Sequence, residues 1–155
     1  MNIRKATSAD LPQIKALYSL LFEQLANYEP DYLQPALQDE DFLRKVVAAE
    51  DNLVAFIYAI DGQVTGFAIA KLEESPPYHC FIPLTCMYLM DIVVDETSRG
   101  KGIGKALIER VKQWSKEQGA DYLELSVLAK NTLAEALYLR EGFETFTKSM
   151  RMKIE

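Results

Sequence analysis

The segment from Asp91 to Leu107 constrains this chain more than any other. An apolar run, Ile92-Val93-Val94, leads through polar residues into a turn carrying Gly100, Gly102 and Gly104. Beyond it Ile103, Leu107, Val111 and Trp114 recur at helical spacing until Gly119 ends the pattern. A strand feeding a glycine-rich turn that opens an amphipathic helix belongs to a layered α/β structure, and it builds an anion site. The glycines permit positive φ and close approach of a ligand, while the unpaired N–H groups and positive dipole end of the helix face whatever is bound. A pyrophosphate fits such a cradle, with Arg99 and Lys105 as added charge.

Two familiar phosphate-binding patterns do not match. In the dinucleotide fingerprint Gly-x-Gly-x-x-Gly, the last glycine after Gly100 and Gly102 falls on Lys105. In the P-loop, Gly104-Lys105 supplies the Gly-Lys pair, but Arg99 stands in the leading position and Ala106 in the following one. The magnesium ligand of that motif is lost with it.

The remaining pattern predicts one domain over residues 1–155. Asn2 to Ala6 reads as a short strand, and Ser8-Ala9-Asp10 caps a helix carrying Leu11, Ile14, Leu17, Tyr18, Leu21 and Phe22. A shorter helical stretch runs from Asp39 to Ala49. Leu53–Ile60 and Val64–Leu72 form a hairpin about Asp61-Gly62, and Cys86–Val94 is apolar enough for a strand in the sheet's centre. Tyr122–Val127 reads as a strand, Thr132–Glu141 as a helix and Phe143–Ile154 as strand-like.

A formal net charge of −6 with 49% apolar and 26% charged residues excludes a disordered chain and a polybasic nucleic-acid binder. The longest apolar run, Leu53–Ile60, falls far short of the ~18–20 residues that cross a bilayer. Met1-Asn2-Ile3-Arg4-Lys5 leads into polar residues, not an apolar signal core, so a cytoplasmic location is expected. Cys80 and Cys86 fit neither a redox pair nor a zinc half-site, and with His79 alone nearby no metal is expected.

Arg99, Gly102 and Gly104 match the acetyl-CoA signature Arg/Gln-x-x-Gly-x-Gly/Ala, and the stretch resembles the GCN5-related N-acetyltransferases (GNAT). The second signature of that family, Asn-x-x-Ala-x-x-x-Tyr-x-x-x-Gly-Phe, is matched by Asn131, Ala134, Tyr138, Gly142 and Phe143. The resemblance covers essentially the whole chain. It implies an α/β (α+β) fold with a mixed, mostly antiparallel sheet of six to seven strands flanked by about four helices.

It also implies that the main chain of Ile92, Val93 and Val94 contacts the pantetheine arm of acetyl-CoA. The amides of Arg99, Gly100, Lys101, Gly102, Ile103, Gly104 and Lys105 would hold the pyrophosphate. Asn131 would reach CoA or, as the residues alone suggest, cap the helix that follows it. Tyr138 would stand near the thioester sulfur as general acid, its phenol donating a proton to the departing thiolate.

The acceptor implied is a primary amine on a small molecule, taken by direct attack in a ternary complex. From Glu23 to Asp51 eight acidic residues face only Arg44 and Lys45, so this stretch carries the whole net charge and favours a cationic, polyamine- or aminoglycoside-like amine over a nucleic acid. Polyamine acetyltransferases often carry a glutamate where this chain has Met90. The base stays open among Asp91, Glu73, Glu74 and Glu124. A protein N-terminal or lysine acetyltransferase and a non-catalytic acyl-CoA-binding module are the other readings, and a homodimer is expected by family analogy.

Overall fold

The structure is a computed structural model describing residues 2–155. Its elements run β1 (Ile3–Lys5), α1 (Leu11–Tyr28), α2 (Glu40–Val47), β2 (Leu53–Ile60), β3 (Gln63–Glu74), β4 (Thr85–Val94), α3 (Ile103–Glu117), β5 (Tyr122–Glu124) and α4 (Thr132–Arg140). Short 3₁₀ turns at Ser8–Asp10 and Glu96–Ser98 lead into α1 and towards α3. The five strands form one sheet in chain order. Their first three pairings are antiparallel and the last, β4 with β5, is parallel.

Alternation along the strands decides how the layers stack. Leu53, Ala55 and Ile57 of β2 and Phe67 and Ile69 of β3 point to one face, where they meet Ile14, Leu17 and Tyr18 of α1 and Leu43 and Val46 of α2. Val54, Phe56, Ala68 and Ala70 point to the other, against Ile103, Leu107, Ile108 and Val111 of α3. The sheet is therefore covered on both sides, by α1 and α2 on one and by α3, with part of α4, on the other. The hairpin turn is of the type its residues specify: Asp61 and Gly62 both take positive φ, 51° and 77°. Gly66 is needed for close approach, because a Cβ there would lie 2.9 Å from the Val93 carbonyl oxygen and 3.2 Å from Ile103.

Two expectations require correction. Among the described residues the sheet has five strands, not six to seven, and β5 ends at Glu124, not Val127. Residues 144–155 form no strand and take no backbone hydrogen bond; Phe146, Met150, Met152 and Ile154 are between 84% and 91% exposed. The edge that a sixth strand would need is only three residues long in β5, so the strand-like C-terminal residues have no ladder to join within this chain. Arg151 instead lies over the Tyr32 ring at 4.6 Å, and Lys153 reaches Asp31 at 3.9 Å.

Candidate active site

A bulge in β4 shapes the site. Ala70 pairs with Leu89 and Ile69 with Asp91, so Met90 is an extra residue with no partner on β3. Side chains alternate with a period of two, and one inserted residue reverses which face the following ones take. Met87 and Leu89 pack on the α3 side, yet Val93, of the same parity, packs on the α1 side. Asp91 is swung with it and receives the Tyr18 hydroxyl on Oδ2 at 2.6 Å. Tyr18 is fully buried, its ring 4.8 Å from Phe67 and 5.4 Å from Phe22. Burial, with the Asp91 charge, raises its pKa above the ordinary phenol range, so it is a fixed donor. Burial also raises the carboxyl pKa of Asp91, while the Tyr18 hydrogen bond pulls it back.

Past Tyr88 opposite Glu124 the parallel ladder between β4 and β5 stops. The strands part there, leaving the β5-facing backbone groups of β4 from Leu89 onward without a strand partner. Ile92 and Val94 lie along this opening with their side chains on the α3 side, and Val93 is buried on the α1 side. The Val94 carbonyl accepts Arg99 Nε at 3.3 Å, so the Arg99 side chain folds back onto its own loop.

The opening runs into the start of α3. Gly100 and Gly102 both have φ of 78°, and a Cβ at either would meet nothing within 4 Å. The first helical hydrogen bond is donated by Ala106 to Gly102 O at 3.0 Å, which leaves the amides of Ile103, Gly104 and Lys105 unpaired. No acidic residue lies in the first turn. Lys101 and Lys105 instead stand at the positive end of the helix dipole, an unfavourable place for cations that a bound polyanion reverses. The residues present thus fit the diphosphate of a CoA-type ligand. Gly104 serves packing as well, since its Cβ would lie 3.2 Å from Leu137 of α4.

Tyr138 comes from α4 on the other flank, its ring edge-on to Phe143 at 5.9 Å. Its hydroxyl takes no hydrogen bond from the protein, and burial, with Asp91 opposite, pushes its pKa up to about 12. Asn131 caps α4: its Oδ1 accepts Ala134 N–H at 3.2 Å and Tyr28 O–H at 3.4 Å, leaving Nδ2 free. Tyr138 and Asp91 are therefore brought together, one from each face of the sheet, at the mouth between β4 and β5. Glu73 and Glu74 are not, for they sit opposite Cys86 and Thr85 at the far end of β4, and Glu124, opposite Tyr88 at the last rung, turns its carboxylate to the Cys86 thiol at 3.8 Å. Tyr18 was not among the sequence candidates, because an aromatic at helical spacing reads as core; the signal that pointed to it is an aspartate in an otherwise apolar strand.

The acidic stretch is less open than its composition implies. Glu29, Asp31, Glu40, Asp41 and Asp51 are engaged by Lys130, Lys153, Lys15, Arg44 and Lys45, several of them from outside the stretch. Cys86 is buried and its thiol is raised to about 11, chiefly by burial, so it is no nucleophile at neutral pH. No group of His, Cys, Asp or Glu among the described residues is arranged to hold a metal ion.

A profile of the acetyltransferase (GNAT) family matches residues 14–143. This chain belongs to that family. A likeness is found to aminoglycoside N(6')-acetyltransferase type 1 of Salmonella typhimurium, 29% identical over 94 residues, which are 61% of this chain and 64% of the relative. The chain thus spans less than two thirds of the first curated relatives it matches. Among solved structures, a mutant of the BH1408 protein from Bacillus halodurans superposes with a TM-score of 0.93 at 23% identity, covering all of both chains. An aminoglycoside N-acetyltransferase, AAC(6')-Iy in complex with CoA, superposes with a TM-score of 0.72 at 23% identity over 99% of this chain and 98% of that one. These two establish that the fold is the GNAT fold.

Proposed function

We propose that this chain, acting as one N-acetyltransferase domain in the cytoplasm, moves the acetyl group of acetyl-CoA to a primary amine on a small cationic molecule. The observation that carries the reading is the mouth where β4 and β5 part: it joins an anion cradle at the start of α3 to an unpaired phenol on α4. The CoA complex of the similar fold supports the same choice of cosubstrate. The diphosphate rests on the amides from Gly100 to Lys105, with Lys101 and Lys105 balancing its charge. The pantetheine arm pairs with the free backbone edge of β4 at Ile92, Val93 and Val94, and Asn131 Nδ2 is free to contact it. Tyr138, protonated across the physiological range because its pKa is about 12, is the general acid for the leaving thiolate.

The cationic acceptor is supported by Asp91 in the mouth, in keeping with the amines that the aminoglycoside relatives act on. We place a second copy of the chain against the unpaired C-terminal arm, as a homodimer. The reading is tested by melting the protein with acetyl-CoA, with CoA and with ATP. Saturation at about 100 Kd adds about 2.7 kcal/mol, a rise of roughly 5–10 °C for a domain of this size. A rise with acetyl-CoA and CoA but not ATP supports the assignment; no rise at millimolar acetyl-CoA refutes it.

A further inference from the structure

The sheet does not brace its own mouth. The last rung between β4 and β5 sets Tyr88 opposite Glu124, and just past it the Tyr88 hydroxyl donates to Ser126 Oγ at 3.4 Å. Farther along no ladder joins the two lips, although an arm lying between them is positioned well only in a slot of fixed width.

Helix α1 spans the gap. It lies against β3 and β4, fixed there by Ile14, Leu17 and Leu21. Tyr18 ties it to one lip by donating to Asp91 Oδ2 of β4 at 2.6 Å. Tyr28 stands ten positions on, about 15 Å along the axis at ~1.5 Å per residue, and ties it to the other lip by donating to Asn131 Oδ1 at 3.4 Å. Glu29 Oε1 receives Lys130 Nζ at 3.3 Å, so consecutive residues at the end of α1 meet consecutive residues before α4.

Asn131 Oδ1 therefore has a donor for each lone pair, Ala134 N–H at 3.2 Å and the Tyr28 hydroxyl, and both protons of Nδ2 are left over. An N-cap is complete with the first bond alone. The second comes from a different helix and fixes where the side chain and its loop stand relative to β4.

We propose that Tyr28 is a positioning residue for the cosubstrate: from α1 it holds Asn131 with Nδ2 turned to the pantetheine amides and, together with Tyr18, sets the separation of β4 from the loop before α4. This rests on the acetyl-CoA reading. Pantetheine carries two amide carbonyls, acceptors that match the leftover N–H donors. Without the Tyr28 hydroxyl the cap persists, but the asparagine and its loop are no longer ordered in advance, and ordering them on binding lowers the affinity. Tyr138 stands two turns farther along α4 with its ring against Phe143, so the chemical step is spared.

The experiment measures acetyl-CoA affinity by isothermal titration calorimetry, with KM and kcat from CoA release on 1,3-diaminopropane, in wild type, Tyr28→Phe, Asn131→Ser and the double variant. Serine is a favoured N-cap residue, yet it presents no amide N–H to the cosubstrate. Tyr28→Phe is expected to raise Kd and KM for acetyl-CoA by about 3–10-fold, the worth of one hydrogen bond, with kcat within about twofold of wild type. Asn131→Ser is expected to weaken binding at least as much, and the double variant no further, because Tyr28 acts only through Asn131.

A hydroxyl that merely stabilises α1 would lower the Tm of the unliganded protein and leave Kd where it was, or would add its own factor in the double variant; either result overturns the proposal. Wild-type protein that does not bind acetyl-CoA takes the cosubstrate reading down together with this one, whereas wild-type affinity in Tyr28→Phe refutes the role of Tyr28 alone.

Discussion

Tyr138 has two features that a packed aromatic does not need together: a hydroxyl without a protein partner and a pKa that keeps it protonated. The phenol is half-buried and its hydroxyl is not sealed from solvent, so no hydrogen bond is forfeited before a cosubstrate binds. A sulfur that arrives with the cosubstrate would take the place of water as its partner. Tyr138→Phe is expected to keep the melting shift with acetyl-CoA but to lose about 10²–10⁴ in kcat, read by steady-state CoA release. Unchanged turnover would remove Tyr138 from the chemistry. Its place in the fold was legible in the chain, because Asn131 and Gly142 bracket the one short helix that carries it. Asp91 was legible as a carboxylate and not as a partner of Tyr18, since the two are 73 residues apart and meet only because a bulge reverses the strand's parity.

The elements themselves were written locally. Asp61-Gly62 dictates its turn, Gly119 with φ of 72° ends α3, and a strongly apolar run becomes β2 with the boundaries its composition sets. What was not written locally is where β4 and β5 part, since strand pairing depends on which residues oppose each other across the sheet. The cradle at the start of α3 depends on a similar long-range contact. Gly66 of β3 lies under Ile103 and Leu107, and any Cβ there meets a carbonyl oxygen at 2.9 Å, so α3 or β4 must shift. Gly66→Ala is expected to destabilise the protein by about 1–3 kcal/mol, seen as a lower Tm. Because the displaced element carries the proposed anion site, the variant's melting shift at fixed, subsaturating acetyl-CoA should also shrink. A variant with lower Tm and an undiminished shift would show that the cradle is positioned independently of β3.

At the scale of the whole molecule the unbalanced feature is one edge. Residues 144–155 make no backbone hydrogen bond, and Phe146, Met150, Met152 and Ile154 among them are exposed. Leu133 and Leu139 of α4 are also exposed, at 82% and 52%, and α4 buries no residue completely. A segment with free backbone groups can pair with a short sheet edge, and this chain carries one of each, so the proposed homodimer would satisfy both reciprocally in a closed two-fold arrangement. The arm's Arg151 and Lys153 already reach Tyr32 and Asp31, in the connection before α2, within one chain. The protein is therefore expected to sediment at twice its 17.6 kDa chain mass. A truncation after Phe143 should sediment as a monomer and melt lower, and Met150→Lys with Met152→Lys should weaken the dimer without removing the arm. A full-length chain that sediments as a monomer at micromolar concentration would leave the arm's exposed side without the partner argued for it.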